Sequence, residues 1–214
     1  MLVVNKRPGD IVQGDKTGDK PLSEVAKEYI ATKYNKPGAV FLGVVHRLDR
    51  PTSGIVVFAR TSKALSRLNK LFSERETEKM YWAVVENAPP NTEEKLVHFM
   101  KRNQKQNKSY AHEKEVPESK KAILSYKLIR SLDNYFLLEV ELETGRHHQI
   151  RSQLAAIGCY IKGDLKYGAK RSNKDGSIHL HARSLTFVHP VKKEELTITA
   201  DPPQDAIWNT CLIS

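Results

Sequence analysis

The stretch HRLDRPTSGIVVFAR, residues 46–60, constrains this chain more than any other, because it sets a proline-locked turn directly against a run that reads as a buried strand. Pro51 fixes its own φ and steers Arg50 away from the helical region, while Thr52, Ser53 and Gly54 supply hydroxyls and a residue tolerant of positive φ. From Gly54 the sequence GIVVFA carries β-branched and aromatic side chains without polar alternation, the pattern of a strand covered on both faces. One carboxylate, Asp49, sits in this stiff loop between Arg47 and Arg50. Two neighbouring guanidinium groups favour its ionised form, which suits a nucleophile or base better than an acid. The same residues also describe a turn cap or a simple ion pair, and the segment alone leaves both readings open.

The remaining pattern mixes helices with hairpin-like strand pairs. A strand over Leu2–Asn5 precedes a helix from about Pro21 to Asn35, whose apolar face reads as Leu22, Val25, Ala26, Tyr29 and Ile30. Strands at about 40–45 and 54–60 bracket the Asp49 loop, and a helix capped by Ser62 runs to about Arg75, burying Leu65, Leu68, Leu71 and Phe72. Further strands are expected at 79–86, 121–129 and 135–142, the last two as a hairpin around Ser131–Asn134. After Gly145 the pattern turns helical, with His147, Ile150, Arg151 and Leu154 on one face and Gly158 as the C-terminal cap. Strands at 178–189 and 195–200 and a short amphipathic tail at 206–212 complete the chain. The pattern implies an α+β fold with a mixed, mostly antiparallel central sheet flanked by helices and loops. With no repeat and no linker, residues 1–214 are expected to form a single domain.

Charge narrows the function. There are 35 Lys and Arg against 25 Asp and Glu, a net charge of +10, which points to a polyanionic partner. Seven of those cations (101, 102, 105, 108, 114, 120 and 121) fall in a segment that reads as a mobile or extended basic arm. No apolar run approaches the roughly 20 residues of a membrane span, and the N-terminus lacks the layout of an export signal, so cytoplasmic residence is expected. Cys159 and Cys211 stand apart without CxxC spacing, which argues against a disulfide framework or a cysteine-rich zinc site. His179 and His181 alternate on a strand without a supporting carboxylate pattern, and no metal is expected.

A second informative segment, LETGRHHQIRSQL at 142–154, places Arg146, His147 and His148 at a strand-to-helix junction, a combination that attracts phosphate. Arg151 lies one turn on, placed to reach a carboxylate or to form an ordinary structural ion pair. Taken with HRLDRPTSG, EKMYWAVV (78–85), GDLKYG (163–168) and LHARSLTFVHP (180–190), this segment resembles the RluA-type family of RNA pseudouridine synthases, motif by motif and in the same order. The resemblance runs from about residue 2 to residue 204.

The resemblance implies a pseudouridine synthase catalytic fold with its active-site cleft across the sheet, acting on ribosomal or transfer RNA without a cofactor. Asp49 matches the catalytic aspartate, Tyr81 a tyrosine that stacks on uracil and is a candidate base, and Arg151 the arginine that pairs with the aspartate. Ile150 matches the aliphatic residue against the flipped uracil, and Arg47 an arginine that enters the RNA where the base has left. His46, Arg146 and His148 are expected to contact substrate as well, and Lys6 and Lys79 to lie in the cleft or on the surface.

Two departures stand out: NKRPG at 5–9 where the family usually reads NKPxG, and His147 where it commonly has threonine. An additional S4-type RNA-binding domain is not expected, nor is an obligatory protein partner, and the chain is expected to act as a monomer. Two competing readings are an RNA-folding or ribosome-assembly factor with subordinate or lost catalysis, and a nucleoside glycosidase, which normally needs a second positioned carboxylate.

Overall fold

The computed structural model describes residues 1–15 and 17–212. Its elements are β1 (Leu2–Lys6), α1 (Leu22–Lys33), β2 (Gly43–Val44), β3 (Ser53–Ala59), α2 (Ser62–Glu74), β4 (Thr77–Val85), β5 (Glu93–Asn103), β6 (Lys108–His112), β7 (Lys120–Ser131), β8 (Phe136–Leu142), α3 (Gln149–Ala156), a 3-10 turn (Leu165–Tyr167), β9 (Leu180–Val188), β10 (Glu195–Thr199) and α4 (Ala206–Leu212). The strands form one ten-stranded sheet in the order β1-β3-β9-β4-β8-β7-β5-β6, with β10 on β9 and β2 on β3. Every pairing is antiparallel except a short parallel contact between β3 and β9. The fold is the mixed, mostly antiparallel α+β sheet expected.

β3 is buried along its whole length because each face has its own cover. Val56 and Phe58 pack with Ala26 and Ile30 of α1, and Ile55, Val57 and Ala59 pack with Leu68 of α2 and with Leu185 and Phe187 of β9. Gly54 enters this strand at φ +115°, where any side chain would run into the backbone of Ala182 on β9. The loop before β3 is thereby pinned against β9. On the far side, Ala83, Val85, Leu138 and Val140 pack under Ile150 and Leu154 of α3, and α4 seats Trp208 and Cys211 on Val84 and Leu137.

Several expectations need correction. Val25 and Tyr29 are exposed, because α1 meets the sheet along the single line Leu22, Ala26 and Ile30. The strand expected over 40–45 shrinks to two residues, and α2 is capped by Thr61, whose hydroxyl accepts the Ala64 N–H, rather than by Ser62. The basic segment 101–121 is no free arm: Phe99–Asn103 pair with Lys108–His112 in a β5–β6 hairpin that closes over Gln104–Asn107. α3 begins only at Gln149, so His147 lies before the helix and His148 occupies its N-cap position.

Candidate active site

Asp49 sits at the base of a cleft of about 1040 Å³ lined from the 46–51 loop, β4, the 142–148 turn, α3 and the β5–β6 hairpin. The loop beneath it is tied from several sides. Thr52 N–H donates to Asp49 O, Gly9 N–H to Arg50 O and Ile178 N–H to Pro51 O. The ammonium of Lys6, 1% exposed, donates to the carbonyls of Arg7, Asp10 and Arg50, so this lysine braces the loop and does not line the cleft. Burial pushes its pKa down to about 8.

The partner of Asp49 is not one of its sequence neighbours. Arg50 turns away to Asp19 at 2.7 Å, and Arg47 stands exposed at the cleft with no ion pair among the described residues. Arg151 instead donates from Nη1 to Asp49 Oδ2 at 3.0 Å, and its Nε and Nη2 donate to the two oxygens of Asp164 at 2.7 and 2.8 Å. Burial works against the charge of Arg151, but the Asp164 hydrogen bond and the charges of Asp164 and Asp49 outweigh it and raise its pKa. The guanidinium is thus aimed from behind. Asp164 belongs to the GDLKYG motif, and sequence alone assigns it no role; its signal is an acid beside a glycine in a short turn, and its partner is a tertiary contact.

Asp49 Oδ1 carries no hydrogen bond among the described residues, so one carboxylate oxygen is held and the other is unbound, in a side chain 29% exposed. Tyr81 shares the cleft. It sits where the β4–β9 register shifts between Met80 and Tyr81, an irregularity of the kind that re-aims side chains beside active sites. Burial and the nearby Asp49 charge raise its pKa, so the side chain stays a neutral phenol at physiological pH. Ile150 is buried in the core cluster against which Tyr81 packs.

The histidines do not bring the charge expected of them. His46 accepts the Val57 N–H at Nε2, stacks on Phe72, and is pushed down to about 4 by burial and by Lys79. His148 is pushed down to about 2 by burial and by Arg151, and His147, stacked on it, is lowered by burial and by Arg102. Both are neutral because the site is partly desolvated and already cationic. The positive charge comes instead from arginine and lysine: Arg146, whose Nε donates to Lys121 O, together with Arg102, Lys166 and Lys79. Eight lining side chains are Lys or Arg against three carboxylates, which favours a polyanion.

The family described as RNA pseudouridylate synthase matches residues 1–156. The chain belongs to that family. It is 31% identical over 215 residues to the ribosomal large subunit pseudouridine synthase D of Zymomonas mobilis, covering 96% of this chain and 67% of that protein. It is 32% identical to the tRNA pseudouridine synthase C of Vibrio parahaemolyticus, over 73% of this chain and 70% of that one. An RNA pseudouridine synthase of Chloroflexus aurantiacus is 40% identical over 76% of this chain, which spans 51% of that relative's length. Among solved structures, human RNA pseudouridylate synthase domain containing 4 superposes with a TM-score of 0.79 at 23% identity, covering 98% of this chain and 88% of that one. Family members are isomerases, and the sheet built here is their fold.

Other candidate features resolve into structure. His181 bonds Ser53 Oγ and Ala200 O, while His179 contacts Asn173 and Asp205, so each is committed separately. Cys159 and Cys211 are buried free thiols. No helix among the described residues is long and apolar enough to cross a membrane.

Proposed function

We propose that this chain converts uridine in a structured ribosomal or transfer RNA to pseudouridine, with Asp49 as the reacting carboxylate. The observation that carries the proposal is Asp49 itself, which lines a cationic cleft beside a neutral tyrosine with Oδ2 bound by Arg151 and Oδ1 free of hydrogen bonds among the described residues. The reaction breaks the N1–C1′ bond of the uridine, turns the ring and joins C5 to C1′. N1 gains a proton and C5 loses one, so the atoms balance without water, redox change or cofactor.

The uracil has to leave its stack to enter the cleft, which costs a few kcal/mol. Tyr81 offers a face for the extruded ring, and Arg47, exposed at the cleft, suits the gap that the base leaves. The neutral phenol supports a stacking role for Tyr81 better than service as a phenolate base. Arg102, Arg146 and Lys166 line the wall where phosphates flanking the target would lie. The unbroken sheet from β1 to β6 supports one catalytic domain.

A glycosidase gains no support from the other carboxylates nearby: Glu143 is paired with Lys95 at 2.5 Å and Asp15 accepts from Thr17. Asp164 is 2% exposed and both of its oxygens are taken by Arg151, so it offers no general acid or base. Mapping pseudouridine in total RNA from cells with and without the protein tests the proposal: a site lost with the protein and restored in vitro by the purified chain supports it, and an unchanged map contradicts it.

A further inference from the structure

His148 and Tyr167 stand behind Asp49 in an arrangement that the pairing with Arg151 does not require. His148 holds the left-handed backbone conformation, φ +54°, immediately before α3, where a residue with a side chain is strained. That conformation turns its ring so that Nε2 lies 3.4 Å from Asp49 Oδ2 while Nδ1 lies 2.9 Å from the Tyr167 hydroxyl. Tyr167, itself buried, accepts the Ser109 N–H of β6 at 2.8 Å, and its ring stacks under the Arg151 guanidinium.

Proton counting sets the tautomer. The phenol oxygen accepts from Ser109, and among the described residues His148 Nδ1 is the one acceptor within reach of its proton, so the arrangement that leaves no donor idle puts the lone pair on Nδ1. A neutral imidazole with Nδ1 bare carries its proton on Nε2, the atom that faces Asp49. Burial together with the Arg151 charge keeps this imidazole neutral, so its contact with Asp49 is that of a dipole and not of an ion pair.

We propose that Tyr167 and His148 are positioning residues for Asp49. Tyr167 holds His148 in the Nε2–H tautomer, and that N–H joins Arg151 on Oδ2, leaving Oδ1 as the oxygen presented to substrate. At 3.4 Å the two atoms are in contact without a hydrogen bond, and the bond forms when substrate closes the site, as catalytic hydrogen bonds often tighten only in the complex. Without the Tyr167 hydroxyl the ring is free to take the other tautomer, which would set a lone pair against the carboxylate and loosen it. The pair acts on the reaction proposed above and rests on that reading.

The test compares Y167F, H148L, H148Q and the double variant Y167F/H148Q in single-turnover pseudouridylation, with thermal melts to confirm folding. Y167F and H148L are each expected to lower the rate of the chemical step by about tenfold or more while KM stays within about threefold. H148Q recovers part of that loss, because a glutamine amide places an N–H near the position of Nε2 and has no tautomer to choose. Adding Y167F to H148Q should then change the rate by less than about twofold, whereas equal losses in both backgrounds would overturn the proposal. Imidazole ¹⁵N shifts of the wild-type protein give a readout independent of activity: a protonated Nε2 and bare Nδ1 on His148 are expected, and the reverse overturns the pair. A wild-type chain that makes no pseudouridine contradicts the reading of the cleft, and the ¹⁵N measurement still decides the tautomer.

Discussion

Arg151 reaches Asp49 Oδ2 through Nη1 at 3.0 Å while its opposite edge is held by both oxygens of Asp164. The pair of Arg151 and Asp164 is buried, with side-chain exposures of 6% and 2%. Removing one partner of such a pair leaves an uncompensated charge, which typically costs about 3–5 kcal/mol. Asp164→Ala is therefore expected to lower unfolding stability by about that amount and to slow pseudouridylation, and Asp164→Asn, which keeps one acceptor, to do less harm. Denaturant unfolding measures this, and a loss under about 1 kcal/mol for the alanine variant would show that Arg151 finds its place without Asp164.

This clamp also marks where the sequence stopped being informative. The loop around Asp49 and the strand after it were readable, because Pro51, Gly54 and IVVFA act locally and their burial pattern is continuous. Which arginine serves Asp49 was not readable from adjacency, since Arg50 is drawn to Asp19 and the partner lies 102 residues away. The β5–β6 hairpin was hidden for a different reason. Only one face of β5 is buried, and charged residues crowd its distal end and the turn, so composition disguised the strand alternation as a solvated arm. The histidines beside Arg146 looked cationic in sequence, and burial beside real cations made them neutral.

Buried neutral histidines give the protein an acid-side weakness. His46 and His181 are each pushed down to about 4, mainly by burial, from an unfolded value near 6.5. Between those values the unfolded chain binds more protons, so stability is full above about pH 6.5 and falls as pH drops toward 4. Each group should cost about 2 kcal/mol at pH 5 relative to pH 7. His181→Gln is expected to flatten the fall in denaturant-measured stability, and identical pH curves for variant and wild type would contradict this assignment.

Tyr81 separates stacking from acid–base chemistry. Stacking on an aromatic is worth about 1–3 kcal/mol per base, so Tyr81→Leu should weaken productive binding of a target RNA by about tenfold to a hundredfold. Tyr81→Phe keeps the ring and is expected to bind RNA like wild type. The pH–rate profile of the wild type should show no rise from tyrosine ionisation between about pH 7 and 10, given the raised pKa. Such a rise, absent in Tyr81→Phe, would restore the phenolate as a base.

The β5–β6 hairpin and its surroundings predict a salt signature. Arg102 and Lys166 line the cleft, and Lys105 lies exposed in the hairpin turn. Replacing all three with glutamine should weaken RNA binding and lower the slope of log affinity against log salt by about 0.7–0.9 for each phosphate no longer neutralised. Filter binding across a salt series measures it, and an unchanged slope would exclude the hairpin from the RNA interface.

The proposed function requires that Asp49 do chemistry and not merely hold the loop. Its most direct test is Asp49→Ala, assayed for pseudouridine formation and for RNA affinity on the same transcript. Asp49→Ala is expected to form no detectable product while binding RNA within about tenfold of wild type, a difference of about 1.4 kcal/mol. Appreciable pseudouridine from Asp49→Ala would contradict it.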